Sequence, residues 1–140
     1  DNATLPAIGA AAIGTFHPNY WSPDLDNAAN QKFVKDFTAK YGKTPSHFAA
    51  QSYDMPRLIA AALKKMGGFD EKKLADLAKA LRTTSYDSIR GSYSYNVNGF
   101  PIQNFYKREV VKGADGKPTI KLAGTVFKDH KDAYYTACKK

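Results

Sequence analysis

Residues 42–66, GKTPSHFAAQSYDMPRLIAAALKKM, contain the junction between an extended segment and a helix that decides the fold. Pro45 favours an extended entry. Asp54 is a residue type that caps helices, and Pro56 is best tolerated in a first helical turn. The pattern therefore predicts a short strand-like segment followed by a helix from Asp54 to Met66.

Phe48 and Gln51 fall at this predicted junction. Ligands of open α/β sheets bind outside the strand ends and opposite helix N-termini, so both residues are candidates for ligand contact. The alternative is that Phe48 is a core aromatic, because most aromatic side chains are largely buried. Both interpretations stay open at the level of the sequence.

Length and composition indicate one ordinary globular domain. The chain has 140 residues, of which 43% are hydrophobic and 24% are charged, and a chain of this size can bury a core. No apolar run is long enough to span a bilayer, and the first residues lack the basic region of a signal peptide. Asp1 is therefore expected to be an internal or processed start.

The net charge of +8 raises the question of a nucleic-acid partner. Many of the lysines are spread over three predicted helices and interleaved with aspartate and glutamate. No aromatic signature of an RNA-binding module and no zinc-ligand spacing accompanies them. We therefore interpret them as a solvated surface and expect no nucleic-acid partner.

Hydrophobic periodicity and turn signals predict the remaining elements. A helix from Asp26 or Asn27 to just before Gly42 carries Phe33, Val34, Phe37 and Tyr41 on its apolar face, and a helix from Asp70 carries Leu74, Leu77, Ala78 and Leu81. The other expected elements are a helical turn and then a buried strand near residues 13–16, a loop over 17–26, strands at Tyr93–Tyr95, 104–111 and 118–127, turns at Asn98-Gly99 and Asp115-Gly116, and a short helix over 129–138.

The search for catalytic and metal-binding motifs finds none. His17, His47 and His130 are far apart, and no pair has the i, i+4 spacing of a metal site. No Walker, GxGxxG or GxSxG motif is present. The single cysteine, Cys138, falls on the short terminal helix and is interpreted as a bystander. We therefore expect no enzyme activity, no metal and no cofactor.

The order and spacing of several segments resemble the C-terminal part of the branched-chain-amino-acid-type (type I) periplasmic solute-binding proteins of ABC transporters. The resemblance covers almost the whole chain. GFPIQNFYKREV and GTVFKDHKDAYYTAC are most similar to a subgroup that binds aromatic acids. The other matching segments are LPAIGAAAIGTF, YWSPDLDNAANQKFVKDFTAKYGKTPS, HFAAQSYDMPRLIAAAL and FDEKKLADLAKALR.

The resemblance implies an α/β fold with two doubly wound lobes, joined by three crossing segments, and a ligand cleft between the lobes. On this mapping, residues 1–16 end the second lobe and residues 17–103 form the C-terminal half of the first lobe. Residues 104–140 then return to the second lobe as a hairpin and a terminal helix. The chain is thus expected to be a C-terminal fragment whose partners include the N-terminal remainder of the same protein.

The resemblance also implies where the ligand binds. Phe48 matches a position at which the family places an aromatic ring against the ligand. The expected ligand is a small organic acid, aromatic if the subgroup resemblance holds, or an amino acid. The resemblance implies that the protein binds it in the periplasm and passes it to an ABC permease in the membrane. Phe16 and His17 match one crossing segment and Gln103 to Tyr106 match another. The candidate ligand-binding residues are Phe16, His17, Phe48, Gln51, Gln103 and Tyr106.

Two further expectations complete the sequence analysis. A domain of the same fold can also act as a ligand-binding sensor or regulator, and this alternative stays open. The isolated chain is expected to self-associate, for example as a swapped dimer, because faces such as Leu74, Leu77 and Leu81 would lack their covering strands.

Overall fold

The computed structural model describes residues 2–138. Within these residues no helix is long and apolar enough to cross a membrane. The α-helices are α1 (Leu5–Ile8), α2 (Ala28–Tyr41), α3 (His47–Met66) and α4 (Leu74–Thr83). The β-strands are β1 (Phe16–Asn19), β2 (Tyr93–Tyr95), β3 (Pro101–Lys112) and β4 (Pro118–His130). Short 3-10 helices occupy Gly9–Ala12, Glu71–Lys73 and Tyr135–Ala137.

Strand β3 is the strand to which all the other described strands pair, and every pairing is antiparallel. β4 follows β3 along most of its length, from Gln103 to Lys112. β1 pairs with residues 106–109 of β3, and β2 pairs with residues 101–103. The β3–β4 hairpin is therefore the central element of the described sheet.

The predicted hairpin turn at Asp115-Gly116 is confirmed. Gly116 has a φ of +79°, a left-handed conformation that glycine adopts without steric cost. The Gly113 N–H donates to the Lys117 carbonyl across 2.7 Å and closes the turn. Both flanking strands extend beyond their predicted limits because the long hairpin keeps their backbone groups paired.

Two separate clusters of buried side chains form the core. Strand β3 contributes Tyr106 to cluster one and Val110 to cluster two. Only Arg108 separates these two residues on the buried face of the strand, whose side chains alternate between faces. Cluster one consists of Trp21, Leu25, Phe33, Ala50, Ile89 and Tyr106, and cluster two of Leu5, Ala12, Val110 and Ile120.

The predicted start of α3 at Asp54 is wrong. The helix begins at His47, and Ser46 caps it, since the Ser46 hydroxyl accepts from the Ala49 N–H across 3.2 Å. Pro56 lies inside the helix rather than in its first turn. Burial of Ala50 and Leu58 on either side stabilises the helix through the proline, which costs one backbone hydrogen bond.

The other helices follow the sequence more closely. α2 begins after Asn27, whose side-chain oxygen accepts from the Asn30 N–H across 2.7 Å, and it ends before Gly42 as predicted. The helix predicted from Asp70 begins instead as a 3-10 turn capped by Asp70, and α4 starts at Leu74. Leu74 is 60% exposed, whereas Leu77 and Leu81 are half-buried, so the apolar face of α4 is only partly open.

The predictions for the two ends of the chain need correction. The first strand is at Phe16–Asn19 rather than near residues 13–16, and it is not buried, because it pairs with β3 at the edge of the sheet. It also occupies part of the predicted loop over 17–26. The predicted terminal helix is reduced to a 3-10 turn at Tyr135–Ala137, followed by an exposed Cys138. Residues 139–140 lie outside the described residues.

Candidate functional site

A buried arginine lies at the boundary between the two clusters. Arg108 is 2% exposed, and its Nη1 donates to the Trp21 carbonyl across 3.1 Å. Its Nε has no hydrogen-bond partner within residues 2–138, and the guanidinium forms no ion pair with any carboxylate there. Burial lowers the pKa of Arg108 to about 10. The group still carries its charge at neutral pH, so a desolvated cation is held at this boundary.

Three half-buried rings neighbour Arg108. His17 lies opposite Arg108 in the β1–β3 register, which places both side chains on the same face of the sheet. Burial and then the charge of Arg108 lower the pKa values of His17 and His47, so both imidazoles are neutral at pH 7. Burial raises the pKa of Tyr20, against the opposing effect of Arg90 and Arg108. The rings present neutral hydrogen-bonding groups beside a fixed positive charge.

Phe48 lies in the first turn of α3 and is 65% exposed. The interpretation of Phe48 as a core residue is therefore wrong. Its ring centroid is 3.9 Å from that of His47, which in turn lies 6.2 Å from the ring of Tyr20 in an edge-on arrangement. Gln51 is exposed on the same helix, three residues further along. Phe48, His47 and Tyr20 thus form a continuous row of rings that ends near Arg108.

The structure separates Phe16 from this group. Phe16 is 54% exposed and pairs with Glu109, so it lies on the opposite face of the sheet from its neighbour His17. There the Lys107 Nζ lies 4.0 Å from the centroid of the Phe16 ring. Phe16 therefore belongs to the crossing strand but does not share a surface with His17 and Phe48.

Gln103 and Tyr106 lie instead at a second buried arginine, Arg90. The Gln103 Oε1 accepts from the Arg90 Nη1 across 3.3 Å, and the Tyr106 hydroxyl donates to the Arg90 carbonyl across 2.9 Å. The Arg90 Nε donates to the Asp54 Oδ2 across 2.9 Å. Both predicted site residues are buried, and their polar atoms are engaged in holding Arg90.

Asp54 is the centre of this network and was missed as such. It is fully buried and also accepts from the Tyr86 hydroxyl (2.9 Å), the Ser88 hydroxyl (2.6 Å) and the Ile89 N–H (3.2 Å). The sequence contained a signal for its burial, since Asp54 shares the i, i+4 stripe of Ala50, Leu58 and Ala62. The partners of Asp54 lie more than 30 residues away, so their identity was not visible in the local sequence.

A concave surface, separate from the residues around Arg108, lies between α2 and α3. This groove has a volume of about 470 Å³, and its polar side chains include Asp36 and Lys40, both exposed. It contains no buried charge. Its apolar lining residues are Phe33, Phe37, Tyr41, Ala49 and Tyr53.

The site at Arg108 brings together groups that can contact a small ligand. A positive charge, neutral hydrogen-bonding rings and an exposed aromatic side chain are complementary to a small aromatic or aliphatic acid. No group of three or more histidine, cysteine, aspartate or glutamate side chains within residues 2–138 could hold a metal ion.

Comparison with known proteins gives consistent results. The family described as "Periplasmic binding protein" matches residues 1–117. A curated relative, the Leu/Ile/Val-binding protein homolog 6 of Brucella abortus, is 31% identical over 116 residues, which cover 80% of this chain and 29% of the relative.

Two solved structures share the fold. A solute-binding protein of an ABC transporter from R. palustris, in complex with benzoate, is 36% identical with a TM-score of 0.81, covering 95% of this chain and 35% of that one. A counterpart from Rhodopseudomonas palustris BisB5, in complex with 3,4-dihydroxybenzoic acid, is 30% identical with a TM-score of 0.82 and covers 95% and 36%. The predicted type I periplasmic binding fold is confirmed, and the chain spans about a third of these proteins.

Proposed function

We propose that this chain, which belongs to the periplasmic binding protein family, forms part of a periplasmic protein that captures a small organic acid for an ABC importer. The family and the solved relatives are transport solute-binding proteins. The ligand would bind in a cleft between two lobes, and closure of the lobes would present the loaded form to the permease. The remaining part of the cleft would come from the N-terminal remainder of the protein.

The two core clusters support a division into lobes. Cluster two, with Leu5 and Val110, would belong to the second lobe, and cluster one, with Trp21 and Tyr106, to the first. β1 and β3 would then be crossing segments, in line with the division at residues 1–16, 17–103 and 104–140. The break between the clusters at Arg108 favours a boundary within β3, a few residues after Gln103.

The exposed ring of Phe48 carries the proposal of a ligand contact. A 65% exposed phenylalanine at a helix N-terminus, beside the rings of His47 and Tyr20, is an unsatisfied apolar surface next to a positive charge. We assign His17 and Gln51 to the same cleft. Phe16, Gln103 and Tyr106 are assigned to the crossing segments, where they would position the lobes.

The proposed ligand is an aromatic acid, with an aliphatic amino acid as the alternative. Two solved relatives hold benzoate and 3,4-dihydroxybenzoic acid, and the row of rings at Phe48 is complementary to a flat ligand. The curated relative is named for leucine, isoleucine and valine, which supports the alternative.

Calorimetric titration of the complete protein tests the proposed function. Benzoate, 3,4-dihydroxybenzoate and leucine are the ligands, and a neutral sugar such as glucose is the negative control. We expect saturable one-to-one binding of at least one acid and none of the sugar. Absence of binding for all three acids would contradict the proposal.

A further inference from the structure

Within residues 2–138, no ion pair balances the charge of Arg108. The side chain is 2% exposed, yet it forms one hydrogen bond to a backbone carbonyl and no ion pair within residues 2–138. A buried cation without a counter-charge is destabilising, so proteins place one where it is compensated or used.

The carboxylate that influences Arg108 electrostatically, Asp24, is engaged elsewhere. The Asp24 Oδ1 accepts from the Ser22 hydroxyl across 2.6 Å, and the Oδ2 accepts from the Leu122 N–H across 2.9 Å. These bonds connect Asp24, which lies in the loop between β1 and α2, to β4. Asp24 therefore attenuates the positive potential at Arg108 without forming an ion pair with it.

The position of Arg108 places its charge beside the half-buried rings of His17, Tyr20 and His47. The guanidinium lies on the face of β3 between the two core clusters, on the same face as His17. The side chains next to it that reach solvent are neutral rings, and the exposed ring of Phe48 follows them. No negative charge among them offsets the cation.

We propose that Arg108 determines the specificity of the cleft for anionic ligands, its positive charge acting as the counter-charge of the ligand's carboxylate. His17, Tyr20 and His47 supply neutral groups between this charge and the ligand, while Phe48 contacts the ligand's apolar part. This inference rests on the proposed function and adds the basis of its selectivity: an acid is bound in preference to its amide, which lacks the negative charge of the carboxylate.

Titration of the complete protein with matched acid and amide pairs tests the inference. The pairs are benzoate with benzamide and leucine with leucinamide. We compare the wild type with Arg108→Met and Arg108→Gln, which remove the charge, and with Arg108→Lys, which keeps it. Lys121→Met is the control, because it removes an exposed positive charge from β4.

The wild type should prefer each acid that it binds over its amide by about tenfold or more. Arg108→Met and Arg108→Gln should lower the affinity for the acid about 10- to 100-fold and leave the affinity for the amide within about twofold. Arg108→Lys should retain most of the preference, and Lys121→Met should retain all of it. Because a buried charge is screened little, the wild-type preference should persist in 1 M salt.

Each of the remaining outcomes would refute the inference about Arg108, the proposed function, or both. Equal losses of affinity for the acid and the amide would show that Arg108 has only a structural role, for instance as the ion-pair partner of a carboxylate in the N-terminal remainder. Equal affinity of the wild type for acid and amide, or a preference that disappears in salt, would refute the inference while the proposed function stands. These two wild-type measurements can refute the inference even if the neutral variants do not fold. A wild type that binds no acid would refute both.

Discussion

Two buried arginines in this molecule have opposite surroundings. Arg90 is 6% exposed and bonds to three side chains: its Nε to Asp54 (2.9 Å), its Nη1 to Gln103 and its Nη2 to the Tyr86 hydroxyl (both 3.3 Å). Its guanidinium also lies 4.0 Å from the centroid of the Tyr93 ring. Arg108 is at least as buried but has one backbone partner and no ion pair within residues 2–138.

The pKa values express this difference. Burial acts to lower the pKa of Arg90, but Tyr86, Tyr93 and Asp54 together raise it above its ordinary value. Burial lowers the pKa of Arg108, Tyr20 and Asp24 offset this effect only in part, and the pKa falls to about 10. Burial alone therefore does not define the role of a charged residue. Arg90 stabilises the fold through its own partners, whereas Arg108 remains available to an external charge.

The largest expected effect concerns Arg90, the arginine whose guanidinium is bonded to side chains. Asp54→Ala leaves Arg90 buried without its counter-charge and should lower the free energy of unfolding by about 3–5 kcal/mol. Denaturant unfolding of the complete protein, followed by circular dichroism, measures this loss. The matched control is Asp36→Ala, which breaks the exposed Lys32–Asp36 pair of 2.6 Å and should leave the free energy of unfolding nearly unchanged.

A double variant sharpens this prediction. If the cost of Asp54→Ala arises from the uncompensated charge, then adding Arg90→Met should recover part of the lost stability. A loss below about 1 kcal/mol for Asp54→Ala would contradict the structural role that we assign to the Arg90 centre.

The next effect concerns Phe48. Phe48→Ala should weaken binding of the acid by roughly 1–3 kcal/mol, the scale of a lost aromatic contact. The melting temperature should change little, because the side chain is 65% exposed without ligand. Phe69→Ala is a matched control, since Phe69 is 64% exposed but lies between α3 and the 3-10 turn at Glu71–Lys73. Calorimetric titration and thermal melting are compared for both variants.

Equal affinities of the Phe48 and Phe69 variants for the acid would remove Phe48 from the cleft. A large drop in melting temperature with unchanged affinity would instead assign Phe48 a structural role in the complete protein.

The smallest effect is a dependence of stability on pH at His17. Burial and then the charge of Arg108 lower the pKa of His17 from its ordinary value of 6.5. Between the two pKa values the unfolded state binds more protons, so the free energy of unfolding rises with pH and reaches its full value above about pH 6.5. His17→Asn should flatten this rise. Urea unfolding at pH 5, 6, 7 and 8 measures it, and a slope identical to that of the wild type would contradict the prediction.

Local signals predicted part of the fold correctly. The start of α2 after Asn27 and its end before Gly42 were predicted because capping depends on nearby residues. The β3–β4 hairpin was predicted at Asp115-Gly116 for the same reason. The start of α3 was wrong because Asp54 and Pro56 resemble a helix start, although Ser46 provides the actual cap. Local pattern could not show that Asp54 is used by a partner 36 residues away in sequence.

The candidate site was predicted less completely than the fold. Phe48 was predicted from the junction before α3 and His17 through resemblance; Phe48 lies in the row of rings with His47 and Tyr20, and His17 lies opposite Arg108 in the sheet. Arg108 itself was missed, although its alternation with Tyr106 and Val110 indicated a buried position. Whether a buried arginine has a counter-charge depends on the packing of distant segments, which the sequence does not display.

A crystal structure of the complete protein with benzoate would show which surface binds the acid. We predict that the benzoate ring lies against Phe48 and that its carboxylate is directed toward Arg108, with His17, Tyr20 or His47 among its neighbours. Benzoate bound in the groove between α2 and α3, or in the cleft with its carboxylate turned away from Arg108, would contradict this prediction.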